Sequence, residues 1–338
     1  MRVAISDRLT KHDIVLLLRR HWRKALFVST LLAATFFAFG WVYYQARVLG
    51  PLADVPLELG HEERISFLAV GRQGYGNQWA AEIAAGMGRV ATEHRTNFIV
   101  LTGDNFYPTG VASIEDRQWQ DKFEQLYRDE SLSKLPFFAV LGNHDYGGST
   151  AAQVAYARER RGSGRWRMRG LQYHQDFGQE DDRVLLRIVF LDMVPMAGSR
   201  WKRYIAQWFL SEAMELPGNP VWRIVVGHAG VRNHSQLPFT QKLLLDDLEP
   251  LMRELNVDLV LSGNDRFQQV LDISGEPLHV STNGGGDKLE HQLHEKTSDR
   301  TFIAVRPGFS SVTVDRQSLQ VAMMDRNGKA IYRKSRTR

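Results

Sequence analysis

The sequence predicts an α/β protein in which a β-sandwich flanked by helices follows one N-terminal transmembrane helix. Three observations lead to this prediction. A long uncharged apolar segment lies near the N-terminus, short apolar runs rich in β-branched residues recur after it, and helix-like stretches separate several of these runs. The 338 residues, 43% of them hydrophobic, are enough for one large folded domain.

The N-terminal segment has the length and flanks of a membrane anchor. Residues 25–46 carry no formal charge, and as a helix of about 1.5 Å per residue they would cover about 33 Å, enough to cross a bilayer core. Trp41, Tyr43 and Tyr44 stand at one end, where aromatic rings favour the headgroup layer. A cleavable signal peptide is the alternative, although its apolar core is usually only about 7–15 residues.

Charge around this segment predicts its orientation. Residues 1–24 hold seven Lys and Arg against two Asp, a surplus of five that equals the net charge of the whole chain. The positive-inside rule makes residues 1–24 a basic cytoplasmic tail of a single-pass protein and places the C-terminal domain in the periplasm, or in a lumenal or extracellular space. Because the rest of the chain is neutral overall, we expect no nucleic-acid partner.

The folded domain is predicted to span residues 65–338, after a linker over 47–64 that contains Pro51 and Pro56. Short apolar runs followed by Gly and polar residues predict buried strands. These strands are Ile65–Val70, Phe98–Leu101, Phe137–Leu141, Val184–Leu191, Ile224–Val226, Leu259–Leu261 and Leu278–Ser281. Helices are predicted over Gln78–Glu93 and Leu243–Leu255.

The last part of the domain predicts an antiparallel meander. Its strands would be Phe302–Val305, Ser310–Val314 and Leu319–Met324, with a turn at Arg326–Gly328. The basic stretch over residues 158–169 is predicted to be a solvated loop, with substrate binding as the alternative.

Polar residues that follow the predicted strands carry the functional signal. In open α/β sheets, ligands bind outside the carboxyl ends of the strands, so these positions are expected to form one site. They are Gly71–Gly74, Gly103–Tyr107, Gly142–Asp145, Gly227–His228 and Gly263–Arg266. The chain has no cysteine, so any metal here would need His, Asp, Glu, Asn or Tyr ligands.

Three segments carry a resemblance to a known family. They are LTGDNFYPTGV at 101–111, AVLGNHDY at 139–146 and AQVAYA at 152–157. In these segments, and over about residues 65–325, the chain resembles the calcineurin-like metallophosphoesterases, and within them the purple, or tartrate-resistant, acid phosphatases. The resemblance implies a metallophosphoesterase β-sandwich and hydrolysis of phosphate monoesters by two metal ions, with Asp104 as the bridging carboxylate.

The family pattern is degenerate at its iron position. The resemblance assigns this position to Arg72, Asp104, Tyr107 and Arg266, of which two are arginines. A guanidinium has no lone pair to donate and stays protonated. About 4 Å from a divalent ion, it would cost roughly 8 kcal/mol at an effective dielectric near 20.

The divalent position is less altered, since the resemblance assigns it to Asp104, Asn143, His228 and Asn264. A single Zn, Mn, Fe or Mg ion is conceivable there, although no bound cofactor is the main expectation. His144 matches the family's catalytic histidine and Asp145 its orienting partner, with a purely structural turn as the alternative.

Three functions are compatible with this pattern, and they leave open whether the chain is an enzyme. In the first, Asp104 pairs with Arg72 or Arg266, and a pseudophosphatase binds phosphate or a phosphoester through Arg72, His144, Arg266 and the nearby His234. In the second, one divalent metal supports an active phosphomonoesterase. In the third, the domain is purely structural or binds a protein partner, which the sequence does not identify, and the cleft takes no ligand.

Overall fold

The chain divides into two compact units, Met1–Val48 and Leu49–Arg338. The computed structural model describes residues 22, 26–37, 63–180, 183–232, 238–265, 267–282, 296–297 and 300–338. Residues 26–37 of the first unit are helical. Within the described residues, no helix is both long enough and apolar enough to span a bilayer. Part of the predicted anchor, 25–46, lies outside these residues.

In the second unit, the described residues form two mixed β-sheets with helices. The strands are β1 (Arg64–Val70), β2 (Phe98–Leu101), β3 (Phe137–Ala139), β4 (Trp166–Arg167), β5 (Tyr173–Glu180), β6 (Arg183–Phe190), β7 (Trp222–Val226), β8 (Leu259–Ser262), β9 (Gln268–Asp272), β10 (Leu278–Ser281), β11 (Lys296–Thr297), β12 (Thr301–Ala304), β13 (Gly308–Asp315), β14 (Ser318–Asp325) and β15 (Ala330–Thr337). The helices are α1 (Gln78–His94), α2 (Glu130–Ser133), α3 (Thr150–Arg158), α4 (Arg200–Glu215) and α5 (Pro238–Glu254), with short helical turns at Gln120–Glu124, Asp145–Gly147 and Val194–Ala197.

The two sheets share one apolar core. The first sheet has the order β15-β14-β13-β1-β2-β3-β4, and the second has the order β11-β12-β9-β10-β8-β7-β6-β5. Phe98 of the first sheet stacks on Phe177 of the second with ring centroids 4.1 Å apart, and both side chains are buried. Aromatic rings therefore join the inner faces of the sandwich.

Helix α1 connects β1 to the parallel strand β2. The side chain of Asn77 accepts a hydrogen bond from the N–H of Ala80 at 3.1 Å, which caps the first turn. Buried apolar residues repeat at helical spacing, as in Ile83, Met87 and Val90. A Cβ on Gly86 would lie 2.3 Å from the carbonyl oxygen of Arg326, so glycine lets α1 approach the β14–β15 turn closely.

Parallel pairing brings the carboxyl ends of several strands to one edge. In the first sheet β1, β2, β3 and β4 run parallel, and in the second β6, β7, β8 and β10 do. The chain enters the first sheet at Arg64, which pairs with Asp315 of β13. Arg64 therefore lies at the end of β1 opposite to its carboxyl end. The seven residues of β1 separate the two ends by about 23 Å at roughly 3.3 Å per residue.

The structure corrects two sequence predictions. The meander is formed by β13, β14 and β15, whereas β12 pairs with β9 in the second sheet, because the chain changes sheets between Ala304 and Gly308. The stretch over 158–169 is not a loop throughout, since Trp166–Arg167 pairs with β3. The turn at Arg326–Gly328 is confirmed between β14 and β15, with Gly328 at φ +81°.

Candidate functional site

The predicted polar segments meet at the carboxyl edge, where the two sheets face each other. Arg72 follows β1, Asp104 follows β2, Asn143 follows β3 and His228 follows β7. The imidazole Nδ1 of His228, in the second sheet, lies 2.8 Å from the carbonyl oxygen of Thr102 in the first. The site is therefore built by both sheets.

Asp104 is fully buried at the centre of this site. Its Oδ1 lies 3.3 Å from Nε2 of His228 and accepts the backbone N–H of His144 at 3.1 Å, while Tyr107 donates its hydroxyl to Oδ2. Burial acts to raise the pKa of Asp104, but His228, the Tyr107 hydroxyl, the His144 N–H and Arg72 outweigh it and hold the pKa below its ordinary value. Asp104 is therefore a carboxylate at neutral pH.

Arg72 points at Asp104 from the end of β1. Its Nη1 lies 3.6 Å from Oδ2 of Asp104, a distance that makes an ion pair but is long for a hydrogen bond. Its side chain is only 9% exposed. Arg72 and Asp104 both have left-handed backbones, at φ 58° and 57°, a conformation that costs a non-glycine residue about 1–2 kcal/mol. The loops after β1 and β2 are thus each held in an unfavourable backbone conformation in which the two charges meet.

Tyr107 forms an aromatic wall beside this pair. Its ring stacks on Tyr75 with centroids 3.9 Å apart and lies 4.1 Å from the ring of His144. The guanidinium of Arg72 lies over the Tyr107 ring at 5.7 Å. Burial and the nearby Asp104 raise the pKa of Tyr107, so its hydroxyl stays protonated.

His228 directs an electron pair into the site. A carbonyl oxygen can only accept, so the contact with Thr102 places the proton of the neutral ring on Nδ1. Nε2 then faces Oδ1 of Asp104 at 3.3 Å and Oδ1 of Asn143 at 3.2 Å. Burial lowers the pKa of His228, although the nearby Asp104 acts to raise it. The three atoms could together bind one cation.

The described residues do not fit a dinuclear metal centre. Of the four residues that the resemblance assigns to the iron position, Arg72 brings a cation against Asp104, and Arg266 lies outside the described residues. Within the described ranges, no group of three or more His, Cys, Asp or Glu side chains is arranged to hold a metal ion.

His144 and Asp145 are adjacent in the chain but face different partners. Nδ1 of the partly exposed His144 lies 2.8 Å from the carbonyl oxygen of Pro108. The buried carboxylate of Asp145 accepts the N–H of Gly142 at 2.8 Å and the amide of Gln153 at 3.0 Å. Burial raises the pKa of Asp145 to about 7. The predicted orienting contact between Asp145 and the His144 ring is therefore corrected: Asp145 holds the loop.

Of the remaining predicted site residues, only Asn264 lies within the described part of the chain. The backbone N–H of Asn264 donates to the carbonyl oxygen of His228 at 2.9 Å. His234 and Arg266 lie outside the described residues, so their substrate-binding roles stay predictions.

The contact between Tyr146 and Asp192 was not predicted from the sequence. Tyr146 follows the Asn143–Asp145 segment, and its hydroxyl donates to the buried carboxyl of Asp192, which lies just after β6. Burial raises the pKa of Asp192 to about 7. The position of Asp192 directly after a predicted strand could have indicated this contact, because that strand runs parallel to β7.

Comparisons with known proteins identify the family of this chain. A family model described as calcineurin-like phosphoesterase matches residues 76–264. Purple acid phosphatase 4 of Arabidopsis thaliana is 31% identical over 308 residues, which cover 83% of this chain and 86% of the relative. Tartrate-resistant acid phosphatase type 5 of Homo sapiens is 26% identical over 321 residues, which cover 86% and 94%.

Solved structures show the same fold. GAP50, titled the anchor in the inner membrane complex of Plasmodium, aligns with a TM-score of 0.68 at 22% identity, covering 81% of this chain and 89% of its own. Purple acid phosphatase PPD1 from yellow lupin (Lupinus luteus) seeds aligns with a TM-score of 0.59 at 15% identity, covering 85% and 55%.

Proposed function

The chain belongs to the calcineurin-like phosphoesterases and carries a purple-acid-phosphatase-like phosphoesterase domain, and we propose that this domain is a membrane-anchored pseudophosphatase. In this proposal the ion pair between Arg72 and Asp104 stands in place of the dinuclear metal centre, and the cleft binds phosphate or a phosphoester. Fold alone does not carry such an assignment, so the proposal depends on the site.

The observation that carries the proposal is the distance of 3.6 Å between Nη1 of Arg72 and Oδ2 of Asp104, with both side chains almost wholly enclosed. A buried guanidinium is tolerated when a carboxylate pairs with it, and the reverse is equally true. The pair thus satisfies two charges that would each be costly alone. It also occupies the carboxylate oxygen that a second metal ion would need.

Anion binding is supported by the positive charge that remains once Arg72 and Asp104 neutralise each other. Asp104 balances one arginine, and Arg266 adds a second cation two positions after Asn264 in the chain. The partly exposed ring of His144 lies after β3, with Nδ1 2.8 Å from the carbonyl oxygen of Pro108. A tetrahedral oxyanion would accept hydrogen bonds from the guanidinium groups.

Metal content tests this proposal directly. The purified full chain is incubated with iron, zinc and manganese salts, desalted and analysed for metal. We expect well under one equivalent bound, with no hydrolysis of an aryl phosphate. The variant R72D/N264H/R266H, which restores the family ligands, is the matched positive control and should gain metal. Stoichiometric metal on the wild-type chain that is lost in D104N would overturn the proposal.

A second candidate, an active phosphomonoesterase with a single divalent ion, is favoured by one observation. Nε2 of His228 lies within 3.3 Å of Asp104 and 3.2 Å of the Asn143 amide oxygen, and these donors could hold one hard or borderline ion. This function requires aryl phosphate hydrolysis that a chelator abolishes and that D104N lacks. Hydrolysis with both properties would favour it over the pseudophosphatase.

Membrane anchoring through residues 25–46, with residues 1–24 in the cytoplasm, belongs to the same proposal. GAP50, which has the same fold, is titled the anchor in the inner membrane complex of Plasmodium, and this supports a place for the fold at a membrane. The full chain should stay with membranes in alkaline carbonate. A protease added outside intact cells or spheroplasts should digest the domain and spare the tail. Release by carbonate would contradict the anchor.

A further inference from the structure

We infer that a pocket at the C-terminal ends of α4 and α5 is a second binding site, for a zwitterionic ligand with a carboxylate, an ammonium group and an apolar body. This is the chemistry of an apolar amino acid or of a short apolar peptide with free ends. The pocket has a volume of about 510 Å³ and is lined by residues 214–220 and 254–256 and by Arg223. This volume is within the usual range of ligand sites. It is called the α4–α5 pocket below.

The α4–α5 pocket lies at the opposite end of the second sheet from the cleft. Its two segments lead from α4 into β7 and from α5 into β8, and these two strands are parallel. The pocket is therefore at the amino ends of the strands, whereas His228 follows the carboxyl end of β7. The five residues of β7 separate its ends by about 16 Å at roughly 3.3 Å per residue. The inference is thus independent of the proposed function.

Hydrogen bonds fix the wall of the pocket that follows α4. The guanidinium of the buried Arg187 donates to the carbonyl oxygens of Leu216 and Pro217, at 2.8 and 2.7 Å. The backbone N–H of Val184 donates to the carbonyl oxygen of Gly218 at 2.8 Å. This wall is therefore formed before a ligand arrives, and its carbonyl groups have partners other than Arg223.

The wall that follows α5 is fixed by its own backbone. The N–H groups of Asn256 and Val257 donate to the carbonyl oxygens of Arg253 and Met252, at 3.0 and 2.9 Å. Asn256 has the left-handed φ of 53° that commonly ends a helix. Here too, the last carbonyl groups of the helix are satisfied without a contribution from Arg223.

Arg223 points to the helix side of the second sheet. The indole of Trp222 donates to the carbonyl oxygen of Asp315 in the first sheet at 2.6 Å, so Trp222 faces the inside of the sandwich. Side chains alternate along a strand, so Arg223 faces the opposite side, where it lines the pocket. The side chain of Arg223 is partly buried there.

Other arginines occupy the carboxylates near Arg223. On β6, Arg187 pairs in register with Arg223 and binds both oxygens of Asp176, at 2.7 and 2.6 Å. Oδ2 of Asp258 accepts Nη2 of Arg338 at 2.7 Å and the backbone N–H of Arg223 at 2.9 Å. Asp258 attracts the guanidinium of Arg223, but in the described part of the chain this guanidinium makes no ion pair or hydrogen bond. An anion in the pocket would supply both.

Two exposed glutamates give the pocket its other charge. Glu215 ends α4, Glu254 ends α5, and both line the pocket. The partial negative charge at a helix C-terminus disfavours a carboxylate there, so helix stability does not explain these residues. Among the residues that the structure describes, neither glutamate forms an ion pair, so Arg223 does not neutralise them.

A zwitterion complements this lining better than a simple ion does. Its carboxylate would bind Arg223, and its ammonium group would face the two glutamates. Five apolar side chains would surround its body: Met214, Leu216, Pro217, Pro220 and Leu255. An inorganic anion would be repelled by the glutamates, and a metal ion would be repelled by Arg223.

Calorimetry on the full chain in neutral detergent tests the inference. The probes are leucine and dileucine, each also as the N-acetylated form, which lacks the ammonium group, and as the amide, which lacks the carboxylate. We expect a probe with free ends to bind about tenfold or more tightly than either blocked form, because each end makes a charge-assisted contact. Tighter binding of leucine would assign the pocket to amino acids, and tighter binding of dileucine would assign it to peptides.

Variants assign each end of the ligand to its residue. R223Q should weaken the free probe about tenfold and change the affinity for its amide by less than about twofold, since the amide has no carboxylate to lose. E215Q/E254Q should weaken the free probe and spare its N-acetylated form. R128Q, which removes an exposed arginine elsewhere, is the matched control and should behave as wild type.

Thermal unfolding shows whether each variant is folded, and the exposed E215Q/E254Q keeps the test available if R223Q is not. Free probes that bind no better than blocked ones, or variants that weaken all forms equally, would overturn the inference. Displacement of the free probe by orthophosphate would place it in the cleft and also overturn it. So would a wild type that binds no probe with a dissociation constant below about 1 mM. These results leave the metal and phosphate tests of the proposed function unaffected.

Discussion

At the scale of single residues, the buried ion pair decides how the site behaves. Asp104 is 0% exposed, and its contacts with Arg72, His228 and Tyr107 come from three different segments. The meeting of these residues could be predicted, because each follows a parallel strand and such ends share an edge. The partners of His144 and Asp145 could not, because hydrogen bonds between loops depend on backbone positions that a motif does not specify.

Removal of one member of the pair should be costly. D104N removes the carboxylate that faces buried Arg72 at 3.6 Å, and we expect it to lower the free energy of unfolding by about 3–5 kcal/mol. The double variant R72M/D104N removes both charges and should be more stable than D104N. Urea denaturation of wild type, both single variants and the double variant gives the coupling energy. Additive effects of the two substitutions would contradict a direct ion pair.

A second residue-scale prediction concerns His279, which is 2% exposed in β10. Burial lowers its pKa to about 4, against 6.5 in the unfolded chain. Below pH 6.5 the unfolded state therefore binds a proton that the folded state does not, so stability falls as the pH falls from 6.5 to 4, by up to about 3 kcal/mol.

The substitution H279Q removes this titration. The difference in unfolding free energy between wild type and H279Q, measured in urea at pH 7 and pH 4.5, should shift by about 2 kcal/mol in favour of the variant at the lower pH. Taking the difference cancels groups common to both proteins, including the buried Asp192. A difference that does not change with pH would show that His279 is accessible to protons.

At the scale of elements, the C-terminal strand β15 ties the first sheet to a loop of the second. Nη2 of Arg336 donates to Oδ1 of Asp272 at 2.9 Å and to the carbonyl oxygen of Glu276 at 3.0 Å. The sequence predicted the strands of the inner sandwich but not β15, β5 or α4. Charged residues interrupt the apolar pattern in these elements, and tertiary contacts decide their structure.

Substitution of Arg336 measures what this contact of β15 contributes to stability. R336Q should destabilise the protein by about 1–2 kcal/mol, because the partly buried hydrogen bonds to Asp272 and to the Glu276 carbonyl oxygen are lost. R333Q on the same strand, at an exposed position, is the matched control and should change stability by less than about 0.5 kcal/mol. Thermal and urea unfolding measure both. If R336Q and R333Q destabilised the protein equally, the overall charge of β15 would stabilise the protein, and not this specific contact.

At the scale of the whole molecule, the sheet order places the site. The family motif indicated a two-sheet sandwich, and the described strands form one. The assignment of β12 to the second sheet could not be predicted. An apolar strand before an antiparallel pair has the same sequence pattern whichever sheet it joins.

Ligand binding should stabilise the whole domain. If the cleft takes phosphate, its melting temperature rises with phosphate concentration, since a ligand specific for the folded state adds about 2.7 kcal/mol at one hundred times its dissociation constant. The rise should be smaller in R72Q and unaffected by a chelator. Differential scanning fluorimetry of the full chain measures this, with chloride at equal ionic strength as the control. A chelator-dependent melting temperature would indicate a structural metal instead.

The place where the chain joins the first sheet has a consequence for protein engineering. Arg64 begins β1, and Asp104 follows the carboxyl end of the parallel strand β2, so the first residue of β1 and the buried carboxylate lie at opposite ends of the sheet. A substitution at Arg64 would therefore leave the residues that contact Asp104 unchanged.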